Sequence, residues 1–272
     1  MLIDAFHHNV FDELDQRAAG LVGPDKLYLL IDGAFVPGLH KMLTADCKAL
    51  LFASRPACSD DAADASPFLT PYVPNDKRMR SLLPRCSGWP MLSLIQTSES
   101  LAQLSERLSA WCVIEADGQR FNFRFADTRR LPAIIRTLEP TQRAQFLGSA
   151  THWLYINRNG CWDEVDVKGA MAQPAINPVL NDGQFATLVD DSRVDEHLVL
   201  LGDRGYEVGK HPSVSHARMA AALQTATSVK LADDSLLSWC IWFWRYAQTQ
   251  PNCVARMAFE TWKTTSLLEK QQ

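Results

Sequence analysis

Asp32 is the residue whose type and place best suit catalysis in this sequence. It follows the apolar run LYLLI at 27–31, and carboxylates at the ends of buried strands often face ligand crevices. A strand-terminating role before Gly33 explains it equally simply and is the stronger expectation. The densest set of potential metal ligands is Asp190, Asp191, Asp195, Glu196 and His197. It reads as the solvated face of a helix, because neither an H-E-x-x-H pattern nor an EF-hand loop accompanies it. His7 and His8 are adjacent, so on a helix they would point in different directions. In GDRGYEVGKHP, Arg204 stands where a phosphate loop needs its first glycine, and His211 stands where a hydroxyl should hold magnesium. No G-x-S-x-G elbow presents a nucleophile. These patterns give no catalytic residue, no metal site and no cofactor.

Aromatic side chains offer a different chemistry, that of recognition. LLSWCIWFWRY at 236–246 is apolar around nearly the whole helix circumference, so such a helix must be buried on several sides. Its first reading is the central helix of a C-terminal lobe. The functional reading keeps one face, Trp239, Trp242, Phe243 and Tyr246, for a partner groove, since aromatic anchors supply much of the energy at interfaces.

Periodicity and punctuation indicate the elements that must position these residues. Residues 4–18 have loose helical spacing, broken by GLVGPDK, and LYLLI suits a strand buried on both faces. Residues 54–67 read as a surface loop, and FLTPYV resumes an extended pattern. MLSLIQ predicts a strand, followed by a helix capped by Ser98 with Leu101, Leu104, Leu108 and Trp111 on one side. Asp117-Gly118 predicts a two-residue hairpin, with Phe121, Phe123 and Phe125 sharing one face beyond it. Asp127 or Thr128 can cap a helix carrying Leu131, Ile134, Ile135 and Leu138. A short helix stopped by Gly148 and a second hairpin at Asn159-Gly160 follow. VKGAMAQPAINP then marks a linker, after which only helical signals remain: one from Asn181, one through Met219, Leu223, Ala226 and Val229, and a third from Asp233 or Asp234 to Pro251.

The expected architecture is α+β: a mixed N-terminal lobe with a central sheet and flanking helices, plus a smaller all-α C-terminal lobe. Its divisions are an N-terminal helix and linker (1–24), the α/β lobe (25–167), a linker (168–180) and the helical lobe (181–272). The 272 residues are 47% apolar and 21% charged, enough for a sizeable core, and a net charge of -4 gives no field for nucleic acid or an anionic membrane. Seven scattered cysteines, without a C-x-x-C pair, fit a reducing compartment. The acidic, histidine-bearing start does not resemble a signal peptide, and the longest apolar run is too short to span a bilayer. The expectation is a cytoplasmic protein.

The order of these elements resembles the effector-adaptor chaperones of bacterial type VI secretion. LYLLIDGAFVPGL at 27–39 is similar to that family's opening: apolar strand, Asp-Gly-Ala, then a proline and a leucine-rich helix. SPFLTPYVP follows, and Gly88-Trp89 inverts the family's tryptophan-glycine pair. DGQRFNFRFADTRRLPAIIRTLEPTQRAQFLG resembles the central block, with Ala126-Asp127-Thr128-Arg129 where the family has Tyr-Asp-Pro-Arg. The match runs over roughly residues 25–165. It implies Asp32, Gly33, Trp89, Phe123, Arg124, Phe125, Asp127 and Arg129 as structural motif residues and carries over no catalytic residue. It also implies two protein partners, a secreted toxic effector and the VgrG spike, with no small-molecule ligand. The helical lobe is the expected effector contact, because its aromatic content exceeds what some 80 residues bury easily. The alternative is a hydrolase-like enzyme using Asp32 and Asp127 at the edge of the sheet.

Overall fold

The computed structural model describes residues 2–53, 59–167 and 177–269. Its strands are β1 (Lys26–Asp32), β2 (Ala49–Leu50), β3 (Pro67–Pro71), β4 (Leu92–Thr97), β5 (Val113–Ala116), β6 (Gln119–Asn122), β7 (Ala150–Ile156) and β8 (Trp162–Glu164). Helices α1 (Val10–Ala19), α2 (Asp60–Asp64), α3 (Lys77–Leu82), α4 (Leu101–Ala110), α5 (Leu131–Thr137) and α6 (Pro140–Leu147) lie among them. Four longer helices follow: α7 (Asp182–Gly202), α8 (Pro212–Ser228), α9 (Asp233–Thr249) and α10 (Ala255–Glu269). The chain is thus α+β first and all-α after. It divides into two compact units, Met1–Asp191 and Ser192–Gln272, with the division inside α7. Of the expected linker, residues 168–176 lie outside the described residues.

Six strands form one sheet in the order β2-β3-β1-β4-β7-β8, every neighbouring pair antiparallel. β1 lies inside the sheet, and every residue from Leu27 to Asp32 is buried, which accounts for its unbroken apolar run. Successive side chains alternate faces. Leu27, Leu29 and Ile31 join Phe68, Leu92, Leu94, Leu154 and Ile156 in one core, under α1 and α3. Tyr28 and Leu30 join Leu69, Ile95, Trp153 and Tyr155 in the other, under α4, α5 and α6.

Several local expectations needed correction. α1 starts only at Val10, and residues 2–7 form a strap whose Leu2 and Ile3 amides donate to the Gly88 carbonyl, with Ile3 fully buried. His7 and His8 therefore precede the helix, and their rings come together, centroids 4.2 Å apart. Within the expected loop at 54–67, Ser59 caps the short helix α2, and residues 54–58 lie outside the described residues. Ser100, not Ser98, caps α4: its Oγ accepts the Gln103 amide at 3.3 Å, and Gln103 Oε1 accepts the Ser100 amide at 2.9 Å. The intervening Glu99 is held by Arg107, whose Nε donates to it at 2.8 Å. β6 ends at Asn122, so Phe123 and Phe125 lie beyond the strand, packed on Trp111 and Phe146 respectively. α5 begins at Leu131, after Asp127 and Thr128 have been used elsewhere.

The hairpins follow their sequence signals. Asp117 and Gly118 both have positive φ, 48° and 67°, as a type I′ turn between twisted strands requires. Gly33 is needed for closeness instead, since a Cβ there would run into the Ser66 carbonyl oxygen, with the Asp64 carbonyl 3.0 Å away. Gly33→Ala must push the backbone of the α2–β3 turn away from β1. It is expected to cost about 1–3 kcal/mol, read as a lower midpoint in urea at an unchanged slope.

The second unit packs α8, α9 and α10 with the end of α7 around Trp239, Cys240, Phe243, Trp244, Phe259 and Trp262. α10 was not anticipated, although Ala255, Ala258, Phe259 and Trp262 mark a buried stripe at helical spacing. No helix among the described residues is long and apolar enough to cross a membrane.

Candidate functional site

The turn after β1 and the segment between β6 and α5 bring the charged motif residues together. Asp32, 1% exposed, accepts the Ala34 amide at 3.1 Å and a proton of Arg124 Nη2 at 2.8 Å. Burial pushes its carboxyl above the ordinary carboxylate range, while Arg124 and the Ala34 amide pull it back. Asp127, 3% exposed, accepts the Arg129 amide at 3.1 Å, Arg129 Nε at 3.0 Å and Arg129 Nη2 at 2.7 Å. Both aspartates thus bind one guanidinium and one backbone amide. The Thr128 amide donates to the Pro90 carbonyl at 2.9 Å, tying this segment to the turn that carries Trp89.

Phe35 completes the arrangement. Its ring lies 5.2 Å from the guanidinium carbon of Arg124 and 5.7 Å from that of Arg129, and it stacks on Trp89 with centroids 6.1 Å apart and planes 27° from parallel. Phe35 and Trp89 are half-buried and Arg124 is exposed, so two aromatic faces and a guanidinium form a small surface platform over two interred carboxylates. Sequence reasoning placed Asp32, Trp89, Arg124, Asp127 and Arg129 here and missed Phe35. The available signal was an aromatic residue directly after Asp-Gly-Ala. Phe123 and Phe125 belong to the core beneath, and Gly33 makes the close turn.

This geometry suits recognition better than proton transfer. A general acid or base must reach its substrate, whereas the Asp32 and Asp127 side chains are only 2% and 4% exposed and already accept two or more hydrogen bonds each. An open groove of about 720 Å³ lies between α5 and the start of α7, lined by Arg136, Gln184, Asp190 and Asp191 among others, and neither Asp32 nor Asp127 faces it. In the acidic run of α7, Asp191 lies 3.5 Å from Arg130 and His197 Nδ1 contacts the carbonyl of Arg193 on its own helix. Among the described residues, no group of three or more His, Cys, Asp or Glu could hold a metal ion.

On α9, Trp239 and Phe243 are core, 0% and 3% exposed. Trp239 Nε1 donates to the Ala222 carbonyl at 2.9 Å, and its ring meets Phe259 and Trp262. Trp242 and Tyr246 are half-buried and stack with centroids 4.8 Å apart and planes 13° from parallel. The unit therefore covers most of its aromatic content itself, contrary to the expectation of a surplus, and leaves one stacked pair partly open.

These features define a class: an antiparallel α+β unit bearing an arginine–aromatic platform, continued by a helical unit. Residues 27–145 match the family model described as Domain of unknown function (DUF4123), and that span contains every member of the platform. Comparison with curated proteins and with solved structures finds no match.

Proposed function

We propose that this protein is a cytoplasmic adaptor that binds a toxic effector of type VI secretion and assists its loading onto the VgrG spike, without catalysis. The reading rests on the DUF4123 match together with the resemblance of the motifs at 27–39 and 117–148 to the adaptor chaperones. One observation carries it furthest. The charged motif residues satisfy one another beneath an aromatic surface, the construction of a recognition patch rather than of a reactive centre. The half-open Trp242–Tyr246 pair offers a second surface of the same kind on the helical unit. A hydrolase using Asp32 and Asp127 would have to break an arginine pair and surrender an amide hydrogen bond before either carboxylate could act.

The test is genetic. Deleting the gene from a host with an active type VI system is expected to abolish delivery of one toxin to target cells while tube and spike components are still secreted, and the wild-type gene restores it. Unchanged delivery of every toxin would remove the proposal.

A further inference from the structure

We infer that the face formed by α1 and α3 is a docking site for an acidic segment of a protein partner, which seats one small branched aliphatic side chain in a preformed slot. The slot is distinct from the platform, and its existence does not depend on the adaptor reading.

The cavity holds about 90 Å³, the space of roughly three waters. Met79 and Leu83, both buried, line it together with the half-buried rings of Phe11 and Tyr72, and Val73 at its mouth is 51% exposed. Its form is fixed by hydrogen bonds rather than by a mobile side chain. The Tyr72 hydroxyl donates to Asp15 Oδ1 at 2.6 Å, and burial with the nearby Asp15 charge keeps that hydroxyl protonated far above its ordinary range. Asn75 turns the chain with φ 63°, and its Oδ1 accepts from Arg80 at 2.8 Å.

The charge around the slot selects the occupant. α3 and the turn after it carry Lys77, Arg78, Arg80 and Arg85, all exposed, in a protein whose net charge is -4. The two acids lining the slot are already engaged. Asp15 takes the Tyr72 hydroxyl and lies 3.6 Å from Arg80, and Asp76 caps α3 by accepting the Arg78 amide at 2.6 Å. On α1, Glu13 is bound by Asn9, while Asp12 is exposed next to Phe11. Lys77 and Arg85 form no ion pair among the described residues, and Arg78 has only a 3.5 Å contact to Thr44 Oγ1. An apolar slot flanked by cations without carboxylates is complementary to an aliphatic residue flanked by Asp or Glu. The apolar part supplies burial and the rim supplies orientation and on-rate.

A random peptide library displayed on phage and panned against the full chain tests this. Enriched sequences are expected to carry several acidic residues around a single Leu, Ile or Val. Synthetic copies are expected to bind a Lys77→Glu/Arg85→Glu variant at least tenfold more weakly in fluorescence anisotropy, and to weaken as salt rises. Both substituted side chains are exposed, so the variant keeps the native circular dichroism spectrum, and a Val73→Asp variant, altered only at the mouth, loses binding in the same way. Enrichment of neutral or basic sequences, equal binding to the charge-reversed variant, or no enrichment at all overturns the inference. So does a dimer in analytical ultracentrifugation that Lys77→Glu/Arg85→Glu disperses, because the occupant would then be a second copy of this chain.

Discussion

Replacing Trp239 by Ala is expected to melt the helical unit's core, at a cost of about 3–5 kcal/mol. The indole is fully buried, contacts Phe243, Phe259 and Trp262 with centroids 5.1, 5.1 and 5.6 Å away, and donates to the Ala222 carbonyl. Alanine would leave a void between three helices that cannot close without shifting α10. A loss of that size lowers the thermal midpoint by roughly ten degrees in a chain of this length, with collapse of the near-ultraviolet dichroism from the tryptophan cluster. Trp242→Ala is the control. That ring is half-buried and stacks chiefly on Tyr246, so its loss leaves the fold intact and, on the adaptor reading, weakens partner retention. A Trp242→Ala variant as unstable as Trp239→Ala would make both rings structural and take the helical unit out of the recognition surface.

Asp127→Ala is the second large effect. It removes the carboxylate that accepts two side-chain hydrogen bonds and one amide hydrogen bond from Arg129, and it leaves a guanidinium in a side chain only 12% exposed without its fork partner. Breaking such a pair from one side costs about 3–5 kcal/mol, and the disturbance reaches the platform because Arg129 also lies over Phe35. Combining it with Arg129→Leu is expected to recover part of the loss, since the stranded charge goes too. Urea unfolding of the two single variants and the double variant measures this. A single-variant loss below about 1 kcal/mol would show that the pair is solvated and that the platform does not depend on it.

The sequence was most readable where one local rule acts alone. Asp117-Gly118 and Asn159-Gly160 marked hairpins through turn chemistry, Gly148 stopped α6, and LYLLI showed its burial on both faces by lacking alternation. It was least readable where tertiary partners compete for a local role. Ser98 and Ser100 are both plausible caps, and the choice falls to Ser100 because Glu99, between them, is taken by Arg107. Asp127 is a good cap by type, but Arg129 claims its carboxylate, so α5 begins at Leu131. At the platform, the charged residues and Trp89 could be found from motif order, whereas the part played by Phe35 depends on two arginines some ninety positions away along the chain. On α9, composition alone showed that rings must be buried but not which, and the contacts of α8 and α10 decide that Trp239 and Phe243 face inward.

The central claim is that this chain holds other polypeptides by its surface. Affinity purification of the tagged full chain from its native host, followed by mass spectrometry of what co-elutes at moderate salt, tests it most directly. The account predicts a spike protein and one toxin in amounts comparable to the bait. Recovery of neither, with the chain folded and abundant in the host, would contradict it.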